Sequence, residues 1–161
     1  MENIEKEACE YKINRILCCG EDLKSFSIVM PKEADVNERF FAYNLRYYLL
    51  KEYGYEGDVV SDGETASEYE ILVGKTSRTT VTVGKNEFVI YAENGKLQLC
   101  AGDMRGYEAM HEYLTDVFLS PKNSEYNYES GYSYKGIAGA ELDDGTLMAT
   151  ERERRLLIPS T

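Results

Sequence analysis

Two apolar runs, Phe88-Val89-Ile90-Tyr91-Ala92 and Leu97-Gln98-Leu99-Cys100-Ala101, flank Glu93-Asn94-Gly95-Lys96, and this arrangement constrains the fold more than any other stretch of the chain. Asn-Gly tolerates the positive φ angles of both central positions in a type I′ turn, so the runs read as a β-hairpin. A two-residue loop also fixes the register. It predicts Glu93 opposite Lys96 and Ile90 opposite Leu99. Alternation then places Phe88, Ile90, Ala92, Leu97, Leu99 and Ala101 on one face, assigned to the core, with Tyr91 and Gln98 on the other. A two-stranded ribbon is marginal alone, so the remaining chain must cover that face.

Two helices are suited to the task. Asp35 and Glu38 form a capping-box pattern, and the helix it opens should run to about Tyr53, with Gly54 past its end. Phe41, Leu45, Tyr48 and Leu49, with Ala42 alongside, give it one buried stripe. Asp103 is positioned to cap a second helix over 104–118, whose stripe is Met110, Tyr113, Leu114 and Val117 and whose stop is Ser120-Pro121. Further strands are predicted at 11–19, at 26–30 before Pro31, at 58–61, and at 69–74, where Ile71-Leu72-Val73 suits an inner strand covered on both sides. The strands come in runs rather than in strict βαβ alternation. The expected fold is therefore α+β, a two-layer sandwich with a mixed β-sheet and two amphipathic helices packed on one face.

A chain of 161 residues can bury roughly 70% of its unfolded surface, enough for a core without metal or disulfide staples. The reading assigns a single domain to 11–135. Residues 1–10 carry no periodicity and are expected to be disordered or loosely attached, while 136–161 reads as a linker-like or loosely docked tail.

Charge and chemistry narrow the function classes. The 18 basic and 29 acidic residues leave a net charge of −11, which argues against nucleic-acid partners. The longest apolar region, 40–50, is interrupted by Asn44 and Arg46, and the acidic start Met1-Glu2-Asn3-Ile4-Glu5 lacks the basic and apolar order of an export signal. A soluble, cytoplasmic protein with no membrane partner is expected, or an extracellular one if the chain is excised from a secreted parent. Cys9, Cys18, Cys19 and Cys100 lack C-x-x-C spacing and read as reduced apolar residues. His111, the sole histidine, begins His111-Glu112-Tyr113-Leu114-Thr115, a zinc-protease H-E-x-x-H whose second ligand is replaced by Thr115. Gly74-Lys75-Thr76 lacks the upstream glycine of a phosphate loop. No metal site, cofactor or catalytic set is predicted, and a dyad of His111 with a cysteine is the weakest functional alternative.

Arginines and tyrosines supply the remaining candidates. Lys75, Arg78 and Arg105 lie at element ends beside glycine turns, where they can contact a partner domain or, the better-fitting reading, hold a loop carboxylate. Tyr43, Tyr47, Tyr48, Tyr53 and Tyr55 crowd the first helix and its exit. Tyr126, Tyr128, Tyr132 and Tyr134 all fall on even positions, so an extended segment interrupted at Gly131 presents them on one face. Such rings serve sugar stacking and protein interfaces alike, although half-buried tyrosines covering a thin sheet fit the pattern better.

Four segments, Phe26-Ser27-Ile28-Val29, the helix from Phe41 to Leu49, Tyr69-Glu70-Ile71-Leu72-Val73-Gly74-Lys75-Thr76-Ser77-Arg78, and the stretch from Gly102-Asp103-Met104-Arg105-Gly106 to Leu114, together resemble a known domain. It is the non-catalytic N-terminal α+β domain that precedes the catalytic barrel in multidomain glycoside hydrolases, the β-N-acetylhexosaminidases and α-glucuronidases. The resemblance spans residues 22–119. It implies a mixed sheet with two helices on one face, similar in outline to a zinc-protease core without its metal, and it places the acid and base carboxylates in a barrel that this chain lacks. The implied role is a non-catalytic accessory or interaction domain whose partner is the catalytic domain of a larger carbohydrate-active protein. A stand-alone carbohydrate-binding module using exposed tyrosines is the alternative, with a glycan as ligand. Self-association is compatible with either.

Overall fold

The computed structural model describes residues 11–138. Nine strands and two helices follow in the order β1 (Arg15–Cys18), β2 (Glu21–Asp22), a 3-10 turn (Leu23–Ser25), β3 (Ser27–Met30), α1 (Val36–Tyr53), β4 (Val59–Ser61), β5 (Glu70–Val73), β6 (Glu87–Glu93), β7 (Lys96–Ala101), α2 (Met104–Tyr113) with a π-helical extension (Leu114–Phe118), β8 (Glu125–Tyr128) and β9 (Ser133–Ile137). The fold is α+β with mixed sheets. Six strands form the main sheet in the order β4-β3-β5-β7-β6-β9, parallel from β4 through β7 and antiparallel at β6 and β9.

The hairpin has the register its turn dictates, with Glu93 paired to Lys96 and Ile90 to Leu99. Asn94 and Gly95 take φ angles of 56° and 79°. Phe88, Ile90, Ala92, Leu97, Leu99 and Ala101 all join the main core, beneath Phe41, Leu45 and Leu49 of α1 and Met110 and Tyr113 of α2. The capping box on α1 is complete: Asp35 accepts from the Glu38 N–H at 2.8 Å, and Glu38 accepts from the Asp35 N–H at 3.0 Å. Glu38 then serves a second element. Its Oε2 accepts from the Lys75 N–H at 3.0 Å, fixing the end of β5 against the start of α1. A Cβ on Gly74 would collide with that carboxylate, which accounts for glycine ahead of Lys75.

Four features differ from the sequence expectation. A second, three-stranded sheet, β2-β1-β8, stands apart from the main one, with β1 parallel to β8 and antiparallel to β2, so the expected strand at 11–19 is shorter and belongs elsewhere. The second helix is regular only to Tyr113 before its π-helical turn, closed by the Leu119 N–H donating to the Leu114 carbonyl at 2.8 Å. Strand β9 continues through Ile137, so the boundary at 135/136 falls inside a strand. The face of the hairpin that carries Gln98 is also covered. Gln98 receives the Thr80 N–H at 2.9 Å and donates to the Thr80 hydroxyl at 2.9 Å, so the segment between β5 and β6 reaches the back of the sheet, where Val29, Leu72 and Cys100 are also buried. Expectations for 1–10 and 139–161 lie outside the described residues.

Candidate functional site

The back of the sheet holds a buried charge cluster. Glu70, on the inner strand β5, has its side chain 2% exposed, and its Oε1 lies 3.1 Å from Nε of Arg78 and 2.9 Å from Nζ of Lys96. Its Oε2 accepts the Ser67 N–H at 3.0 Å. Arg78 also donates from its terminal nitrogens to the carbonyls of Asp62 at 3.1 Å and Glu64 at 2.8 Å, and Lys96 donates to the Ser67 carbonyl at 2.6 Å. Both carboxylate oxygens are engaged, and the cations reach into the 62–68 loop. The cluster is arranged to fasten two loops to an inner strand rather than to present an acid or base to a substrate. Arg78 is thus placed as a tie. Lys75 is exposed and enters the framework through its backbone N–H on Glu38.

Arg105 stands in the first turn of α2, behind Asp103, whose carboxylate accepts the Gly106 N–H at 3.0 Å and the Asn86 N–H at 2.9 Å. The first of those bonds is the main reason the Asp103 carboxyl is held below its ordinary value of 3.8. Gly106 has its own cause: a Cβ there would meet the Glu87 carbonyl at 2.5 Å, so glycine lets α2 settle onto β6. The structure does not bring Lys75, Arg78 and Arg105 together into one site.

Two of the thiols, Cys18 and Cys100, are unsuited to nucleophilic work. Burial pushes the Cys18 thiol up, and it drives Cys100 up to about 11 despite the opposing pull of Lys75. A reactive cysteine needs the reverse shift. Cys100 sits on the Gln98 side of the sheet, whereas His111 is exposed on α2, which covers the opposite side. No helix among the described residues is long and apolar enough to cross a membrane. Among them, too, no three His, Cys, Asp or Glu side chains converge as a metal site would need.

The even-numbered tyrosines do not line one extended segment, because Tyr126 and Tyr128 lie on β8 of the small sheet while Tyr134 lies on β9 of the large one. They meet through stacking instead. Tyr128 is buried, stacked on Phe118 at 3.9 Å, and donates to the Phe118 carbonyl; Tyr134 is buried, stacked on Tyr113 at 4.1 Å. Tyr132 is half-buried, edge-on to Tyr128, with its hydroxyl 3.3 Å from that of Tyr113. The alternative of exposed rings does not hold for Tyr128 and Tyr134, whose faces are spent on the aromatic column joining the sheets, closer to the favoured reading of tyrosines that cover a thin sheet. Tyr126 keeps a half-exposed ring. It borders a recess of about 430 Å³ together with Asp116, Lys122, Asn123, Glu125 and Asn127.

One surface was not anticipated from the sequence. The outer side of α1 leaves Val36 71%, Phe40 70%, Tyr43 50%, Tyr47 62% and Leu50 37% exposed, with Met104 of α2 beside them at 53%. These α1 residues follow a 4-3-4-3 spacing, a second apolar stripe opposite the buried one. A helix apolar on both sides is normally covered on both. Beside this ridge runs a groove of about 440 Å³ between the helices, reached by Val36, Asn37, Phe40, Asn44, Met104 and His111. The signal lay in the sequence as Val36, Phe40, Tyr43, Tyr47 and Leu50, hidden because the inward stripe already explained the helix.

No protein-family model matches the sequence, and no curated protein matches it. Among solved structures the chain is similar to the GH20 β-N-acetylhexosaminidase from Streptomyces coelicolor A3(2), with 9% sequence identity and a TM-score of 0.45. The match covers 70% of this chain and 22% of that one, so the chain spans about a fifth of that enzyme's length.

Proposed function

We propose that this chain is a non-catalytic interaction domain that packs the outer face of α1 against another folded domain. The observation that carries the reading is the exposed ridge of Val36, Phe40, Tyr43, Tyr47 and Leu50 beside its groove. Phe40, Tyr43 and Tyr47 alone leave on the order of 400 Å² open, the size of the largest patch on an ordinary monomer, and patches of that size mark interaction sites. It is about half of the roughly 800 Å² each partner contributes to a standard interface. The sequence resemblance to accessory domains of glycoside hydrolases suggests a carbohydrate-processing catalytic domain as the partner. A photo-cross-linking residue at Tyr43 in the protein's own cells tests this. One adduct that disappears with Phe40→Asp is expected; adducts formed equally from Glu129, or none dependent on Phe40, would overturn the reading. So would aryl-glycoside turnover that persists through repurification of the chain.

A second reading, a glycan site, is favoured by the recess at Tyr126, where a half-exposed ring, stacked on Tyr128, stands among amide and carboxylate side chains. Titration with a panel of oligosaccharides should then perturb Tyr126, and silence at millimolar concentration removes it.

A further inference from the structure

We infer that the α1 surface receives an amphipathic helix whose apolar seam is flanked on one side by acidic residues, presented by another protein; this rests on the docking role proposed above. The first ground is spacing. Val36, Phe40, Tyr43, Tyr47 and Leu50 repeat at intervals of four and three along an 18-residue helix, the period at which one helix presents a continuous seam to another lying alongside. The groove toward α2, with Asn37, Asn44 and Met104 on its walls, gives the occupant a second side to rest on.

Charge is the second ground. In a chain of net charge −11, the flank of the ridge away from α2 carries Arg39 and Arg46, whereas Lys51 lies on the α2 side beside Glu52 and His111. Arg39 is exposed while bonding the Ala34 carbonyl at 2.9 Å, and Arg46 bonds the Gly57 carbonyl at 2.6 Å and lies 3.7 Å from exposed Asp58. The acids that face the groove, Glu108 on α2 and Glu52 near its far end, lie on the other flank. An occupant therefore gains most by placing carboxylates beside Arg39 and Arg46.

The same charges disfavour a second copy paired antiparallel. Antiparallel pairing of two α1 seams about Tyr43 sets Arg39 of one copy beside Arg46 of the other, and chains of like net charge repel at long range.

Two 24-residue helical peptides with one leucine seam test the inference, one bearing Glu and the other Lys along a single flank, with Gln along the other. Both are titrated into the full chain by fluorescence anisotropy. The Glu peptide is expected to bind at least threefold more tightly at 50 mM salt, with the margin shrinking at 500 mM. Arg39→Glu should erase or reverse the preference, Arg39→Lys should keep it, and thermal melts of both variants establish that the fold is intact. Equal binding of the two peptides overturns the acidic-flank inference while leaving the docking role standing. Binding that survives Phe40→Asp overturns the docking role itself. Failure of both peptides to bind at millimolar concentration overturns the inference, as does a dimer seen by sedimentation and lost in Phe40→Asp, which assigns the face to a second copy.

Discussion

The back of the main sheet and the outer face of α1 have opposite chemistries and opposite degrees of closure. Behind the sheet, a carboxylate, a guanidinium and an ammonium sit largely out of water, and the Glu70 oxygens are all engaged. On α1, aromatic and aliphatic side chains stand in water with nothing over them. Buried polarity is tolerated only when it is paired, so the Glu70 cluster is accounted for within the chain. Exposed apolar surface has no internal account. The contrast separates residues that hold the fold from residues the fold leaves uncovered, and it does so against superficial expectation, since the charged cluster looks the more functional of the two.

The largest effect should come from breaking the closed region. Glu70→Ala leaves Arg78 and Lys96 facing each other beneath the loops, and removing one member of a buried ion pair typically costs about 3–5 kcal/mol. The denaturant midpoint should fall accordingly, with 62–68 and 76–83 exchanging amide hydrogens first. Replacing all three, as Glu70→Leu with Arg78→Met and Lys96→Met, should recover most of the loss, because the apolar substitution removes the unpaired charges as well. A triple variant as unstable as the single one would assign the loss to the missing ties of Arg78 and Lys96 to the 62–68 loop rather than to unpaired charge.

The two sides of α1 offer a sharper pair. Leu49 is fully buried and Phe40 is 70% exposed, yet both are large apolar residues of one helix. Leu49→Ala should cost about 2–5 kcal/mol through lost burial and the cavity left behind. Phe40→Ala should stay within about 0.5 kcal/mol of the parent in the isolated chain. If chemical denaturation shows Phe40→Ala costing as much as Leu49→Ala, the ridge is part of the fold and the proposed docking surface is lost.

What was legible in the sequence follows the range of the interactions. The capping box, the left-handed Gly54 and the Asn94-Gly95 turn are decided within a few residues, so their geometry could be read from the chain directly. Glu38 illustrates the limit. Its bond to Asp35 was visible at a spacing of three, but its bond to Lys75 joins residues 37 positions apart. Arg78 could be singled out beside a glycine turn, whereas its partner Glu70 is separated from it by a change of direction at Gly74 that alternation does not convey. The tyrosines at 126–134 share a parity, and parity places rings on one face only while a strand continues; here β8 ends at Tyr128 and the chain crosses to another sheet. The ridge on α1 escaped notice for a different reason. Once one stripe of a helix is assigned to the core, nothing local says whether a second stripe is covered.

The smallest effect concerns pH and tests whether the closed framework extends to the start of α2. Asp103 has its carboxyl lowered, first by the Gly106 N–H, and Glu87 is lowered likewise, first by the Gly84 N–H. A carboxylate with a depressed folded value binds its proton more readily when unfolded. Its stabilisation is therefore complete above the ordinary range and disappears as the pH falls through the lower folded value. For Asp103 the contribution should be present at pH 7 and decline below the ordinary 3.8. Asp103→Asn keeps an acceptor for Gly106 but sets its amide against the Asn86 N–H, so the variant should melt a few degrees lower at pH 7 and approach the parent below pH 3. A constant gap across that range would assign the loss to hydrogen-bond geometry alone. The ridge contains no carboxylate, so Phe40→Ala should show no such convergence, and the two pH profiles together separate a residue held by the fold from one that the fold leaves open.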